Sequence, residues 1–118
     1  MFPVNIAHKL SLFYDYWHPR IVGELNDNQI KLVKLKGEFV WHTHLKEDEM
    51  FLVLSGRLII KLRDQDVVIE AGELIVIPKG LEHMPVAEEE VQVMVIEPKS
   101  TVTSSKTHTE QTINPEWI

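Results

Sequence analysis

The feature that most constrains this chain is the density of turn signals between residues 21 and 97. Short runs of apolar and β-branched residues alternate there with glycine, asparagine and aspartate. Ile21 to Leu25 and Ile30 to Leu35 flank Asn26-Asp27-Asn28, a sequence suited to a tight turn. Gly37 precedes Phe39 to Thr43, and Gly56 separates Glu49 to Ser55 from Arg57 to Arg63. Asp64-Gln65-Asp66 leads into Val67 to Glu70, and Ala71-Gly72-Glu73 into Leu74 to Ile77. His83 to Val86 and Val91 to Ile96 complete the set, with Glu88-Glu89-Glu90 read as an exposed turn between them. Short strands punctuated this often predict an all-β sandwich or barrel. A doubly wound α/β fold would need helical stretches between the strands, and the sequence has none there.

Strand parity sharpens the expectation. Leu58, Ile60 and Leu62 share one face of their run, whereas Arg57, Lys61 and Arg63 share the other, so that strand has a wet side. The run from Glu49 to Leu54 has none: Phe51 and Val53 lie on Glu49's face, and Met50, Leu52 and Leu54 on the opposite one. A strand apolar on both faces needs cover on both. The barrel interior covers one face; the other calls for a second sheet or a second subunit, and a homodimer is expected.

The flanks differ from this middle. In residues 1–20, Asn5 is placed to cap a short helix carrying Ile6 and Leu10, with Phe13 beyond. The aromatic group Phe13-Tyr14-Tyr16-Trp17 is read as a flap closing one end of a core, in preference to a pocket lining. Residues 98–118 form a Ser/Thr-rich arm with little to bury. It ends in Pro115-Glu116-Trp117-Ile118, and an apolar Trp-Ile pair is expected to dock on the barrel or on a partner. The expected organisation is therefore one domain: a helical or aromatic flap over 1–20, a barrel over 21–97, and an arm over 98–118.

Composition narrows the functions. The 118 residues are 44% hydrophobic, enough for a core, but no apolar run approaches a membrane span. Met1-Phe2-Pro3-Val4-Asn5 has no basic region leading into an apolar stretch, so no secretory signal is expected. Cysteine is absent, which removes disulfides and thiolate metal sites and favours a cytoplasmic protein. A formal net charge of -6 argues against nucleic-acid binding, which relies on neutralising phosphates. The one local basic cluster, Lys31, Lys34 and Lys36, is read as a solvated strand face.

Against this background three histidines and a glutamate stand out. His42 and His44 are one residue apart, so on a strand both imidazoles point to one side. Glu49 heads an interior apolar face, where a carboxylate needs a compensating partner. His83 lies downstream, just after Pro78-Lys79-Gly80. Imidazole and carboxylate donors together suit one divalent transition-metal ion of the set Mn, Fe, Co, Ni, Cu and Zn. Phe51 and Val53 are the candidates to line a pocket beside it. His8, His18 and His108 have no such setting and are read as non-ligands.

The spacing Gly37-x4-His42-x-His44-x4-Glu49-x6-Gly56 resembles the first motif of the cupin superfamily, and Gly72-x5-Pro78-x-Gly80-x2-His83 resembles the second. Two departures occur: the first motif more commonly has one further residue before its first histidine, and Ala87 stands where the second usually has Asn. The resemblance implies a small single-domain cupin with a jelly-roll barrel and His42, His44, Glu49 and His83 as metal ligands. It also implies a small-molecule ligand, with oxygenase-, isomerase- or lyase-type chemistry as one reading and non-catalytic binding or sensing as another. A purely structural ion is the third. Sugar-phosphate isomerisation fits less well, because no basic cluster is placed to hold a phosphate. No catalytic residue is identified.

Overall fold

The computed structural model describes residues 1–101 and 114–118. Nearly every run bounded by turn signals is a strand. These are β1 (Arg20–Leu25), β2 (Asn28–Glu38), β3 (Glu49–Ser55), β4 (Arg57–Lys61), β5 (Asp66–Glu70), β6 (Leu74–Ile77), β7 (Met84–Pro98) and β8 (Glu116–Trp117). One short helix, α1 (Ile6–Leu10), precedes them, and the Asn5 side chain accepts a hydrogen bond from the His8 N–H at 2.9 Å to cap it.

Two boundaries differ from expectation. Phe39 to Thr43 is not a strand; only isolated bridge positions at His42 and Thr43 survive there, His42 paired with His83. In turn, β7 runs unbroken through Glu88-Glu89-Glu90, which are exposed but do not form a turn. The physical reason lies in the neighbour: β2 pairs with β7 on both sides of the glutamates, Leu35 against Val91 and Gly37 against Ala87, and the ladder shifts between them. A bulge of this kind bends the strand while keeping it paired.

That long strand is the spine of the barrel. Besides β2, it pairs with β4 through Met84 to Val86 and with β3 through Gln92 to Ile96. β3 then pairs with β6, and β4 with β5. Inward residues of these strands, including Val33, Phe51, Val53, Leu58, Ile60 and Val93, form one buried core. Each fully buried aliphatic or aromatic side chain contributes about 1.5–3 kcal/mol relative to exposure.

The outer face is only partly covered. Leu10 and Phe13 pack on Val22 and Leu32, making a second small core to which Ile30, Met94 and Ile118 add. The terminal segment docks on its own chain: β8 pairs in parallel with β1, and the Ile118 N–H donates to the Ile21 carbonyl at 3.1 Å. Trp117 itself stays 59% exposed. Most of the Ser/Thr-rich arm, His108 included, lies outside the described residues.

The lysine cluster is not a solvated face. Lys31 shares parity with Val33 and Leu35, points inward and is buried. Lys34 points outward but is covered by the N-terminal segment, its Nζ donating to the Phe13 carbonyl at 2.6 Å. Only Lys36 is exposed. Among the described residues no helix is long and apolar enough to cross a membrane.

Gly56 gives a direct test of the packing. Its φ is +89°, and a Cβ there would lie 2.7 Å from the Glu90 carbonyl oxygen and 3.2 Å from Val91 Cα. Gly72, with φ +88°, has open space instead. G56A should destabilise the protein by about 2–4 kcal/mol and G72A by about 1–2 kcal/mol, in urea denaturation. Equal effects would mean that the approach of β7 to the β3–β4 turn is not tight.

Candidate metal centre

The four residues singled out by spacing come together. One ligand atom from each of His42, His44, Glu49 and His83 lies within 4.8 Å of the others, and all four residues are buried. Backbone bonds assemble them. His42 and His83 exchange both N–H to carbonyl bonds at 3.0 Å, joining segments that are distant in sequence. The Gly80 N–H donates to the His44 carbonyl at 2.8 Å, and the Lys79 N–H to Asp48 Oδ1 at 2.9 Å. The turn containing Pro78 and Gly80 thus holds the loop that carries His44. Glu49, the first residue of β3, faces inward.

Hydrogen bonds orient two of the rings. His42 Nδ1 lies 2.9 Å from the Val40 carbonyl oxygen, and His83 Nδ1 lies 2.9 Å from that of Leu81. A carbonyl can only accept, so each neutral ring carries its proton on Nδ1 and presents a lone pair at Nε2. His83 Nε2 lies 3.7 Å from Glu49 Oε1, and His44 Nε2 lies 3.2 Å from the same oxygen. A carboxylate oxygen facing an imidazole lone pair is repulsive unless a cation lies between them. The donor set fits a divalent ion of the borderline class, and the cluster can hold one.

Two residues missed in the sequence complete the electrostatics. Lys31 Nζ donates to Glu97 Oε1 at 2.9 Å, and both side chains are buried. The β3–β7 ladder pairs Met50 with Ile96, so one step further Glu49 stands against Glu97. Burial pushes the Glu97 carboxyl up to about 8, with the adjoining Glu49 adding to the rise and Lys31 opposing it. Burial also pushes Glu49 up, but the adjoining Glu97 carboxyl and the nearby His44 and His83 rings outweigh it and hold that carboxyl well below the usual range. The charge of the pair therefore resides on Glu49, beside the histidines. Parity was the available signal, since Lys31 and Glu97 share their strands' inward faces with apolar core residues.

The cluster opens on a cavity of about 140 Å³. Phe51 lines it, together with Val33, Phe39, Trp17 and the Lys31–Glu97 pair. Val53, one step deeper on the same face, is fully buried in the core and does not reach it. His8 and His18 lie outside the cluster; His18 Nδ1 is 3.0 Å from Asp15 Oδ2. Of the aromatic group, Trp17 forms a cavity wall, Phe13 joins the second core and Tyr14 is exposed.

Stability of the metal-free protein should follow these groups. Burial, followed by the neighbouring His83, pushes His42 down from 6.5 to about 4, against the pull of the Val40 carbonyl. Its contribution is present above pH 6.5 and is lost as pH falls towards 4. Glu97 has the opposite sign: its contribution is present below 4.5 and is lost as pH rises towards 8. The two oppose each other between about pH 4.5 and 6.5, so stability should be nearly flat there and fall on both sides. E97Q should remove the alkaline limb, about 2 kcal/mol between pH 6.5 and 8, and, with the opposing slope gone, extend the acid limb up to about pH 6.5. Urea midpoints of chelator-treated protein across pH 4–8 measure both limbs. An alkaline limb that persists in E97Q would assign it to another group.

Known proteins place this geometry in context. The Cupin domain family profile matches residues 31–99. A crystal structure of a cupin-2 domain containing protein from Shewanella frigidimarina is 53% identical, superposes with a TM-score of 0.81, and the match covers 81% of this chain and 94% of that one. Protein NMB1881 from Neisseria meningitidis is 30% identical with a TM-score of 0.76, over 83% of this chain and 100% of its own. The uncharacterized protein YdbB of Bacillus subtilis is 40% identical over 63 residues, 52% of this chain; the match spans only 56% of the Bacillus protein. With the motif histidines converged in a mostly β barrel and the profile covering more than half its length, this chain belongs to the cupin family.

Proposed function

We propose that this protein is a metal-dependent cupin that acts on a small molecule at the His42, His44, Glu49 and His83 site. The observation that supports this most is the tautomer geometry: His42 and His83 give their Nδ1 protons to backbone carbonyls, which leaves each Nε2 a lone pair, and that of His83 faces the buried Glu49 carboxylate. An ion held there by four side chains would supply Lewis-acid polarisation to an oxygen donor entering from the cavity. The surrounding residues do the rest. Val33, Leu35, Phe51 and Val95 exclude water, and the Lys31–Glu97 pair keeps Glu49 anionic and in place. Oxygenase-, isomerase- or lyase-type chemistry suits such a centre, with Mn, Fe, Co, Ni, Cu or Zn as the ion.

A second reading, ligand binding or sensing without turnover, has its own support. Apart from the ligand set, the only titratable side chains lining the cavity among the described residues are Lys31 and Glu97, and these are bonded to each other. A third, a merely stiffening ion, is disfavoured by the size of the apolar core, which does not depend on the site.

Protein purified without affinity metal should contain about one transition-metal ion per chain by elemental analysis. H42A should lose it, while the urea midpoint measured without metal shifts by no more than about 1 kcal/mol. No uptake even after reconstitution would defeat the proposal, and collapse of H42A would favour the stiffening role. Oxygen uptake by Fe(II)- and Mn(II)-loaded protein with catechols, thiols and diketones separates the first two readings. Saturable binding without consumption supports the second.

We also propose that the protein acts as a homodimer. Outward residues Ile30, Ile96, Met50 and Val76 align across β2, β7, β3 and β6, and Met94, Leu52 and Leu74 form the next row. Leu74 and Val76 are 59% and 55% exposed, and neither row carries a charge. A chain of net charge -6 meets its own copy with least repulsion on such a surface. The wild type should sediment as a dimer and V76E as a monomer with the same metal content; a monomeric wild type would refute this.

A further inference from the structure

One wall of the cavity comes from outside the two metal-binding motifs. Trp17 adopts φ 60°, a left-handed conformation that is uncommon and strained for a bulky side chain. Two bonds to β2 hold it there. Its N–H donates to the Lys34 carbonyl at 2.9 Å, and its indole Nε1–H donates to the Lys36 carbonyl at 3.0 Å. The indole stacks on Phe39 with ring centroids 5.0 Å apart and an interplanar angle of 19°. Phe39 in turn meets the His42 ring edge-on at 5.1 Å. A continuous aromatic surface thus leads from Trp17 to the candidate metal ligands, fixed in position by backbone bonds.

The remaining lining sets the chemistry of what can lie on that surface. A phosphate or a second carboxylate needs an available cation, preferably a guanidinium. Among the described residues no arginine lines the cavity, and its lysine, Lys31, is a buried ammonium held by Glu97 at 2.9 Å and balanced by the nearby anionic Glu49. The cavity of about 140 Å³ is also well below the roughly 300–1,000 Å³ typical of drug-sized ligands.

Resting on the metal-site reading, we infer that the ligand is a small, flat, mainly apolar molecule with a single oxygen-chelating end. The chelating oxygens address the ion, and the conjugated body packs against the Trp17–Phe39 wall. Phosphorylated and dicarboxylic molecules bind more weakly. Trp17 is a specificity-determining residue and not a ligand of the ion.

The test uses full-length protein loaded with Co(II) and three probes: 4-nitrocatechol, malonate and ribose 5-phosphate, each titrated and followed by the cobalt and nitrocatechol absorbance. W17G removes the ring while giving the strained position the residue that best tolerates its φ, so the fold is not at risk from the backbone. W17F keeps a ring as a second control. Wild type should bind 4-nitrocatechol at least about tenfold tighter than either anion. W17G should lose about tenfold in 4-nitrocatechol affinity, with cobalt content and malonate affinity unchanged, and W17F should lose less. Malonate or ribose 5-phosphate binding as tightly as the catechol overturns the inference, as does a W17G protein that binds all three like wild type. Cobalt content measured in the same samples separates the two levels. Metal-loaded protein without this selectivity overturns the ligand class alone; wild type that takes up no cobalt overturns the metal site with it.

Discussion

The structure depends on where it puts one negative charge. Glu49 is only 6% exposed, and an ionised carboxylate taken that far from water costs several kcal/mol unless it is partnered. Its partners are arranged on two sides. Glu97, backed by Lys31, adjoins it from across the β3–β7 ladder and is the carboxyl that burial pushes up, which makes Glu49 the anionic member of the pair. On the other side stand imidazole nitrogens, and the His83 proton is committed to the Leu81 carbonyl. The flank that faces the imidazoles is complete only around a cation.

This arrangement explains why β7 must be long. His83 immediately precedes it, and Glu97 lies near its far end, so one strand serves the cluster twice. Running past β4 and then past β3, with a bulge against β2 between, brings its two ends to the same mouth of the barrel. The exposed Glu88-Glu89-Glu90 stretch is the bend that makes this possible. Tyr16 reaches it, donating to Glu90 at 3.0 Å, so the N-terminal segment touches the bend as well as the cavity.

The metal ligands were legible in the sequence because their signal is local: a His-x-His pair, a carboxylate heading an apolar face, and a histidine after a proline–glycine turn. Lys31 and Glu97 were not, because their pairing depends on the β2–β7 register, which links positions 66 residues apart. Parity alone placed both inward, yet a charge at an inward position reads as a strand edge until its partner is known. The strand expected over Phe39 to Thr43 failed for a related reason. Phe39 goes to the cavity wall, Trp41 lies under the Arg63 guanidinium at 3.8 Å, and His42 bridges to His83, so the run does not form a ladder. The aromatic group before β1 was ambiguous because its members have different destinations, which only the chain path separates.

That path gives the N-terminal segment a structural role as large as its role at the site. Phe13 lies on the outer face of β2 and Trp17 packs against the inner core, so the segment crosses from one side of the sheet to the other within a few residues. The left-handed turn at Trp17 is where it crosses. Such a conformation costs about 1–2 kcal/mol. The bonds from Trp17 to the Lys34 and Lys36 carbonyls contribute about 1 kcal/mol each, and burial of Phe13 about 2 kcal/mol more. Lys34 closes the clamp from the opposite direction, donating to the Phe13 carbonyl. The strain at Trp17 is thus offset partly by its own bonds to β2 and partly by Phe13 on the outer face. A cavity wall supported in this way can vary its ring to suit a ligand while the histidines behind it, held by their own bridge, stay in place.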